Sequence, residues 1–241
     1  MRVRLPLLLV SAAAWLVLVI QPHEAAVCMM PSMRWTPASL FAASALMFAA
    51  MMAPLIGPPV LHVRERSFAS RRTRATVLFV LGYGVPWLVA SAVLLVAASW
   101  IVSKESPLLL ALTIAAVAFW QCSPLKQRCL NRSHAHTALA AFGWKADRDV
   151  LRFGLVHAWW CIGSCFALML LPMLFTRGHL AIMAGMTLWM IGERLERPTP
   201  PAWHWRGPMN VIRIAVGQAK MWGGPKPATF RYGPAASRAR M

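Results

Sequence analysis

Six long apolar runs, separated by basic segments, constrain this chain more than any other feature. They lie at about Leu5–Gln21, Pro37–Leu61, Thr76–Val102, Ser106–Cys122, Leu151–Phe175 and His179–Ile191. Roughly 20 mostly apolar residues are needed for a helix to cross the hydrocarbon core of a bilayer. Each run meets that length or comes near it, the first and last being short. The expected fold is therefore all-α, a polytopic transmembrane bundle of about six helices.

Charge supports the same reading. The chain is 59% hydrophobic with a mean hydropathy of +0.55, only 13% charged, and yet carries a net charge of +18. These values are compatible when the charges are segregated between apolar runs. A basic chain can also signal nucleic-acid binding, but basic residues placed between membrane-length runs point to a lipid bilayer as the partner, with no specific nucleic acid. With the N-terminus in the cytoplasm and six crossings, only Arg34, Lys104 and Arg177 of the 25 Lys and Arg fall outside, and the other 22 fall inside. Cytoplasmic loops are enriched in Lys and Arg, so the expected location is a bacterial inner membrane with both termini cytoplasmic. Arg2 and Arg4 before a short apolar run also fit a cleaved signal, but the residues around Ala25 and Ala26 match a cleavage site poorly. Residues 1–197 read as the transmembrane domain. Residues 198–241 read as a basic Pro/Gly-rich cytoplasmic tail, either mostly disordered or with one short amphipathic helix at Met209–Trp222.

Five cysteines, an odd number in a chain that is not small and loop-rich, argue against a disulfide framework. The fifth run carries a more specific pattern. His157, Cys161, Cys165, Met169 and Met173 recur at every fourth residue. On a helix each is turned about 40° from the last and lies about 6 Å further along. Imidazole, thiolate and thioether suit Cu(I), and His with Cys also suits zinc. One ion cannot use the whole ladder, because His157 and Cys165 are about 12 Å apart along the axis.

Other soft or polar groups fall at the same depth. The sixth run offers Met183, Met186, Met190 and Glu193, all within about 80° of one another on a helix. The second offers Met47, Met51 and Met52, and the fourth ends in Gln121 and Cys122, followed by Cys129. With alternating crossings, Met51, Gln121, Cys122, Glu193, His157 and Cys161 all lie toward the cytoplasmic side. Core packing also produces Met stripes and buried Cys, and Glu193 is equally suited to pairing with Arg194 or Arg197. His23, Glu24, Cys28, Met29, Met30 and Met33 form a further cluster in the first outside loop.

The chain resembles a bacterial family of predicted metal-binding integral membrane proteins, domain of unknown function 2182. Three segments carry the resemblance: the Met-rich Met47–Pro54, Gln121-Cys-Ser-Pro-Leu-Lys-Gln-Arg-Cys-Leu130, and His157 through Met169. The likeness covers about Ala38 to Arg197. This chain departs from the family pattern at Ser164, where a cysteine is usual, at the additional Cys122, and in a shorter segment after Gly178. The resemblance implies metal binding and supplies no reaction.

The expected function is binding of a soft metal ion, copper first and zinc as the alternative, for handling or delivery. The candidate ligands are His157, Cys161, Cys165, Met169, Cys122, Gln121, Cys129, Met51, Met190 and Glu193. A copper-dependent membrane enzyme or a metal chaperone is the expected partner. Two other readings stand beside this one: an accessory subunit of a membrane enzyme complex, and a membrane thiol oxidoreductase. The last is weakened by the absence of a Cys-x-x-Cys pair. No catalytic residues stand out.

Overall fold

The structure, a computed structural model, describes residues 4–20, 36–175 and 177–205, and every element among them is helical. The helices are α1 (Arg4–Ile20), α2 (Pro37–Met52), α3 (Gly57–Glu65), α4 (Arg72–Ser103), α5 (Pro107–Cys122), α6 (Pro124–Ser133), α7 (Gly143–Met173) and α8 (His179–Leu195). A single 3-10 turn, Ala69–Arg71, precedes α4. The all-α expectation agrees with this architecture. The cysteine and methionine cluster of the first outside loop and the Met209–Trp222 segment lie outside the described residues.

Serine, threonine and proline set the helix starts. Thr36 caps α2 in a reciprocal arrangement with Ser39, Ser106 caps α5, and Ser123 caps α6, each followed by proline at the first helical position. Proline there has no N–H to satisfy, and a preceding hydroxyl residue accepts from an otherwise orphaned donor. The same chemistry breaks two of the runs. Proline disfavours helical geometry in the residue before it, so Ser123 is extended, and α5 and α6 meet at a 59° bend. The Pro37–Leu61 run, expected as one segment, is likewise divided into α2 and α3 with an 80° bend. Pro54 cannot donate to the Ala50 carbonyl four residues back. That carbonyl instead accepts from Ser11 Oγ at 2.8 Å and Trp15 Nε1 at 3.2 Å, which ties α1 to the break.

Two helices, the one ending at Ser103 and α7, are long and apolar enough to cross a membrane. Each bent pair, counted as one crossing, raises the number to as many as four; α1 is apolar but shorter. Along α4, Val85, Val89, Val93, Val96 and Trp100 are exposed at helical spacing, an apolar stripe left uncovered by the described chain.

The centre of the bundle is the packing of α4 on α7. A side chain at Gly154 would stand 2.7 Å from the Phe79 carbonyl oxygen, and one at Gly82 would stand 2.6 Å from that of Leu151. Small residues at such a crossing let two backbones approach closely. Gly154→Ala is therefore expected to destabilise the protein by about 1–3 kcal/mol, since backbone on both helices would have to move. Thermal unfolding in detergent measures the loss, with Gly185→Ala as the control because nothing lies within 4 Å of its Cβ position.

Candidate metal centre

The α7 ladder faces inward. His157, Cys161, Cys165, Met169 and Met173 are between 0 and 6% exposed. The His157 ring packs among Phe79, Tyr83 and Phe153, with centroids 6.2, 5.6 and 5.8 Å away. One turn further on, Cys161 Sγ meets Tyr83 Oη at 3.1 Å and Arg194 Nη2 at 2.9 Å. The same guanidinium nitrogen lies 3.1 Å from Ser164 Oγ and 3.8 Å from Cys165 Sγ. Ser164, where the resemblance leads one to expect a cysteine, donates to the Cys161 carbonyl and lies 3.4 Å from Cys165 Sγ. Helices α4, α7 and α8 thus converge on two neighbouring sulfurs.

Arg194 is held in place from α6. Its Nη1 donates to Ser133 Oγ, and the His134 ring lies 3.1 Å from its backbone carbonyl. Among the described residues no carboxylate pairs with its guanidinium. The pairing of Glu193 with Arg194 or Arg197, the alternative to a ligand role, is replaced by another. Glu193 Oε1 accepts from Lys126 Nζ at 2.5 Å and from Gln121 Nε2. Both ion-pair side chains are buried, at 0 and 4% exposure. Lys126, counted among the cytoplasmic loop charges, lies inside the bundle instead.

The remaining candidates are distributed around this centre. Met51, Met169 and Met190 are fully buried in the same apolar core. Met52 lies beside them, and its Sδ is 4.0 Å from Tyr83 Oη. Cys129 on α6 presses its Sγ to within 2.7 Å of the position a Cβ would take on Gly163 of α7, a contact that only glycine permits. Cys122 is half-buried at the end of α5, where its carbonyl accepts the His204 N–H. Among the described residues, no three His, Cys, Asp or Glu side chains are arranged to hold one ion. The thiol pair therefore stands apart from His157 and from Glu193.

Sequence reasoning passed over Tyr83, and considered Arg194 only as a partner for Glu193. It also passed over His62 and His136, whose rings are 4.7 Å apart near the start of α7. Burial first, and the neighbouring His62 second, hold His136 below the usual imidazole range.

The family model described as PpoB2, copper chaperone, matches residues 41–217. The chain belongs to this PpoB2 family. The match spans every described helix except α1 and the first turn of α2, so both Cys161 and Arg194 lie within the region that defines a PpoB2 chain. No curated protein and no solved structure matches.

Proposed function

We propose that this protein is a multi-pass protein of the bacterial inner membrane that binds Cu(I) through Cys161 and Cys165 and passes it to a protein partner. That partner is a copper-dependent membrane enzyme or a second metal chaperone. The observation that carries this reading is a pair of buried sulfurs, both within reach of one guanidinium nitrogen, in a chain of a copper chaperone family.

The donor set favours copper over zinc. Structural zinc takes four ligands, commonly Cys and His, and the described residues bring no third Cys, His, Asp or Glu to the pair. Soft thiolate and thioether donors select Cu(I), and the methionines of α2, α7 and α8 supply thioethers in the same core. His157 and the His62–His136 pair provide imidazoles toward the cytoplasmic end, where a chaperone would collect or release its cargo. Gln121, Cys122, Cys129 and Glu193 act as supporting groups around the site in this reading.

Six crossings with both termini in the cytoplasm remain the topology we favour, and we retain the finer resemblance to domain of unknown function 2182. Support comes from the 22 to 3 division of basic residues and from the exposed apolar stripe on α4, which a lipid environment would cover. Ser11 and Trp15 support α1 as a retained helix, because its removal would leave the Ala50 carbonyl without those donors. Residues 198–241 follow as a basic cytoplasmic tail.

Protein purified in mild detergent and loaded with Cu(I) is expected to retain about one copper per chain, and Cys161→Ser/Cys165→Ser to retain far less. Equal retention by the two forms would end the thiol reading. Reporter fusions after Arg71, Lys104, Lys145 and Arg240 are expected to read cytoplasmic, periplasmic, cytoplasmic and cytoplasmic. A periplasmic signal at Arg71 or Lys145 would overturn the orientation.

A further inference from the structure

The Arg194 guanidinium touches both sulfurs, yet no carboxylate among the described residues pairs with it. The nearby Lys126 and Glu193 pair with each other and contribute no net charge. We propose that Arg194 sets the charge of the metal this site accepts, favouring a monovalent soft ion over a divalent one. The proposal rests on the reading of Cys161 and Cys165 as ligands.

Charge arithmetic gives the reason. When two thiols bind a metal ion, each sulfur–hydrogen bond is replaced by a sulfur–metal bond and two protons leave. With a monovalent ion the dithiolate complex carries a charge of −1, and the adjacent guanidinium brings the assembly to zero. With a divalent ion the complex is neutral, and the part-buried guanidinium, its Nε enclosed, is left as an uncompensated positive charge. A buried charge is tolerated when paired and is costly alone. The same residue therefore stabilises the monovalent complex and gives the divalent one no matching gain, a difference in affinity that discriminates between ions of similar softness. Arg194 is a positioning and selectivity residue rather than a ligand. Its planar fork spans Cys161, Ser164 and Ser133 together, and the hydroxyl of Ser164 gives it a neutral partner where a further thiol would have changed the charge count.

The test uses the full chain in detergent, with Ag(I) as an air-stable monovalent probe and Cd(II) as a soft divalent one. Affinities are read by chelator competition, and cadmium also by its sulfur charge-transfer absorption. Wild type is expected to prefer Ag(I). Arg194→Lys, which keeps the charge, is expected to hold that preference. Arg194→Gln is expected to lower the ratio of silver to cadmium affinity on the order of tenfold to a hundredfold. Arg194→Met, which keeps the packing of the stem, replaces it if Arg194→Gln does not accumulate. Equal weakening of both metals, with the ratio unchanged, would mean a purely structural role for Arg194 and would overturn the proposal while leaving the thiol site intact. Silver binding that survives Cys161→Ser/Cys165→Ser undiminished would overturn the thiol reading and this inference with it.

Discussion

Cys161→Ser is expected to weaken Cu(I) binding more than about a hundredfold, because even the outer partners of metal ligands are commonly worth about 10- to 100-fold. Serine keeps the size and the hydrogen bond to Tyr83 and removes the soft donor, so folding should survive while affinity does not. Cys165→Ser should behave similarly. Met169→Leu should have a much smaller effect on affinity, and its near-equal volume should cost less than about 1.5 kcal/mol of stability. Thiols lose a proton on binding, whereas thioethers have none to lose. Copper affinity in wild type should therefore fall as pH is lowered from about 8 to 5, and the residual affinity of Cys161→Ser/Cys165→Ser should be nearly flat over that range. Competition with a Cu(I) chelator at several pH values measures both effects. A flat profile in wild type would transfer the anchor from the thiols to the methionines.

The largest stability effect is expected at the Lys126–Glu193 pair. The two side chains are 2.5 Å apart, almost fully buried, and 67 positions apart in sequence. Removing one partner of a buried pair leaves the other charge uncompensated, at a cost of about 3–5 kcal/mol. Lys126→Met should therefore unfold at a markedly lower temperature in detergent than wild type. Lys126→Met/Glu193→Leu should recover most of the loss, because replacing both members with apolar residues of similar volume is often neutral. Gln121 also donates to Glu193, so the double variant leaves one polar group to be re-satisfied and recovery should fall short of complete. Unfolding of Lys126→Met at the wild-type temperature would show that the carboxylate is already compensated elsewhere.

The parts of the molecule legible in its sequence are those governed by local periodicity. The His157-to-Met173 ladder falls on one inward face of one helix, as a step of four dictates, and Met183, Met190 and Glu193 lie together on the buried face of α8. The run at Ser106–Cys122 coincides with α5 to within one residue. Features that depend on distant partners were not legible. The spacing of apolar residues runs through Pro54 without a break; the proline marks a helix end, but neither the 80° angle nor the α1 donors to the Ala50 carbonyl can be read from it. Nothing around Lys126 marks it as buried, since its partner is on another helix. Arg194 looks like one of many basic residues at a helix end until α7 and α8 are seen side by side. The segment before Leu151 reads as a polar loop. It is helical from Gly143, and Asp147 in its second turn is bound by Arg71 and Arg74 at 2.5 and 2.6 Å.

The fully enclosed methionines Met51, Met52, Met169, Met173, Met183 and Met190 expose the fold to chemical damage of one kind. Oxidation of a thioether to the sulfoxide turns a flexible apolar side chain into a polar, chiral one. A sulfoxide oxygen formed in this interior would have to find a hydrogen-bond donor or remain unsatisfied at a cost. Copper that cycles between oxidation states generates the oxidants that perform this conversion. Under the copper reading proposed above, dense enclosure that limits access of peroxide to the sulfurs would also guard them against oxidants that copper generates.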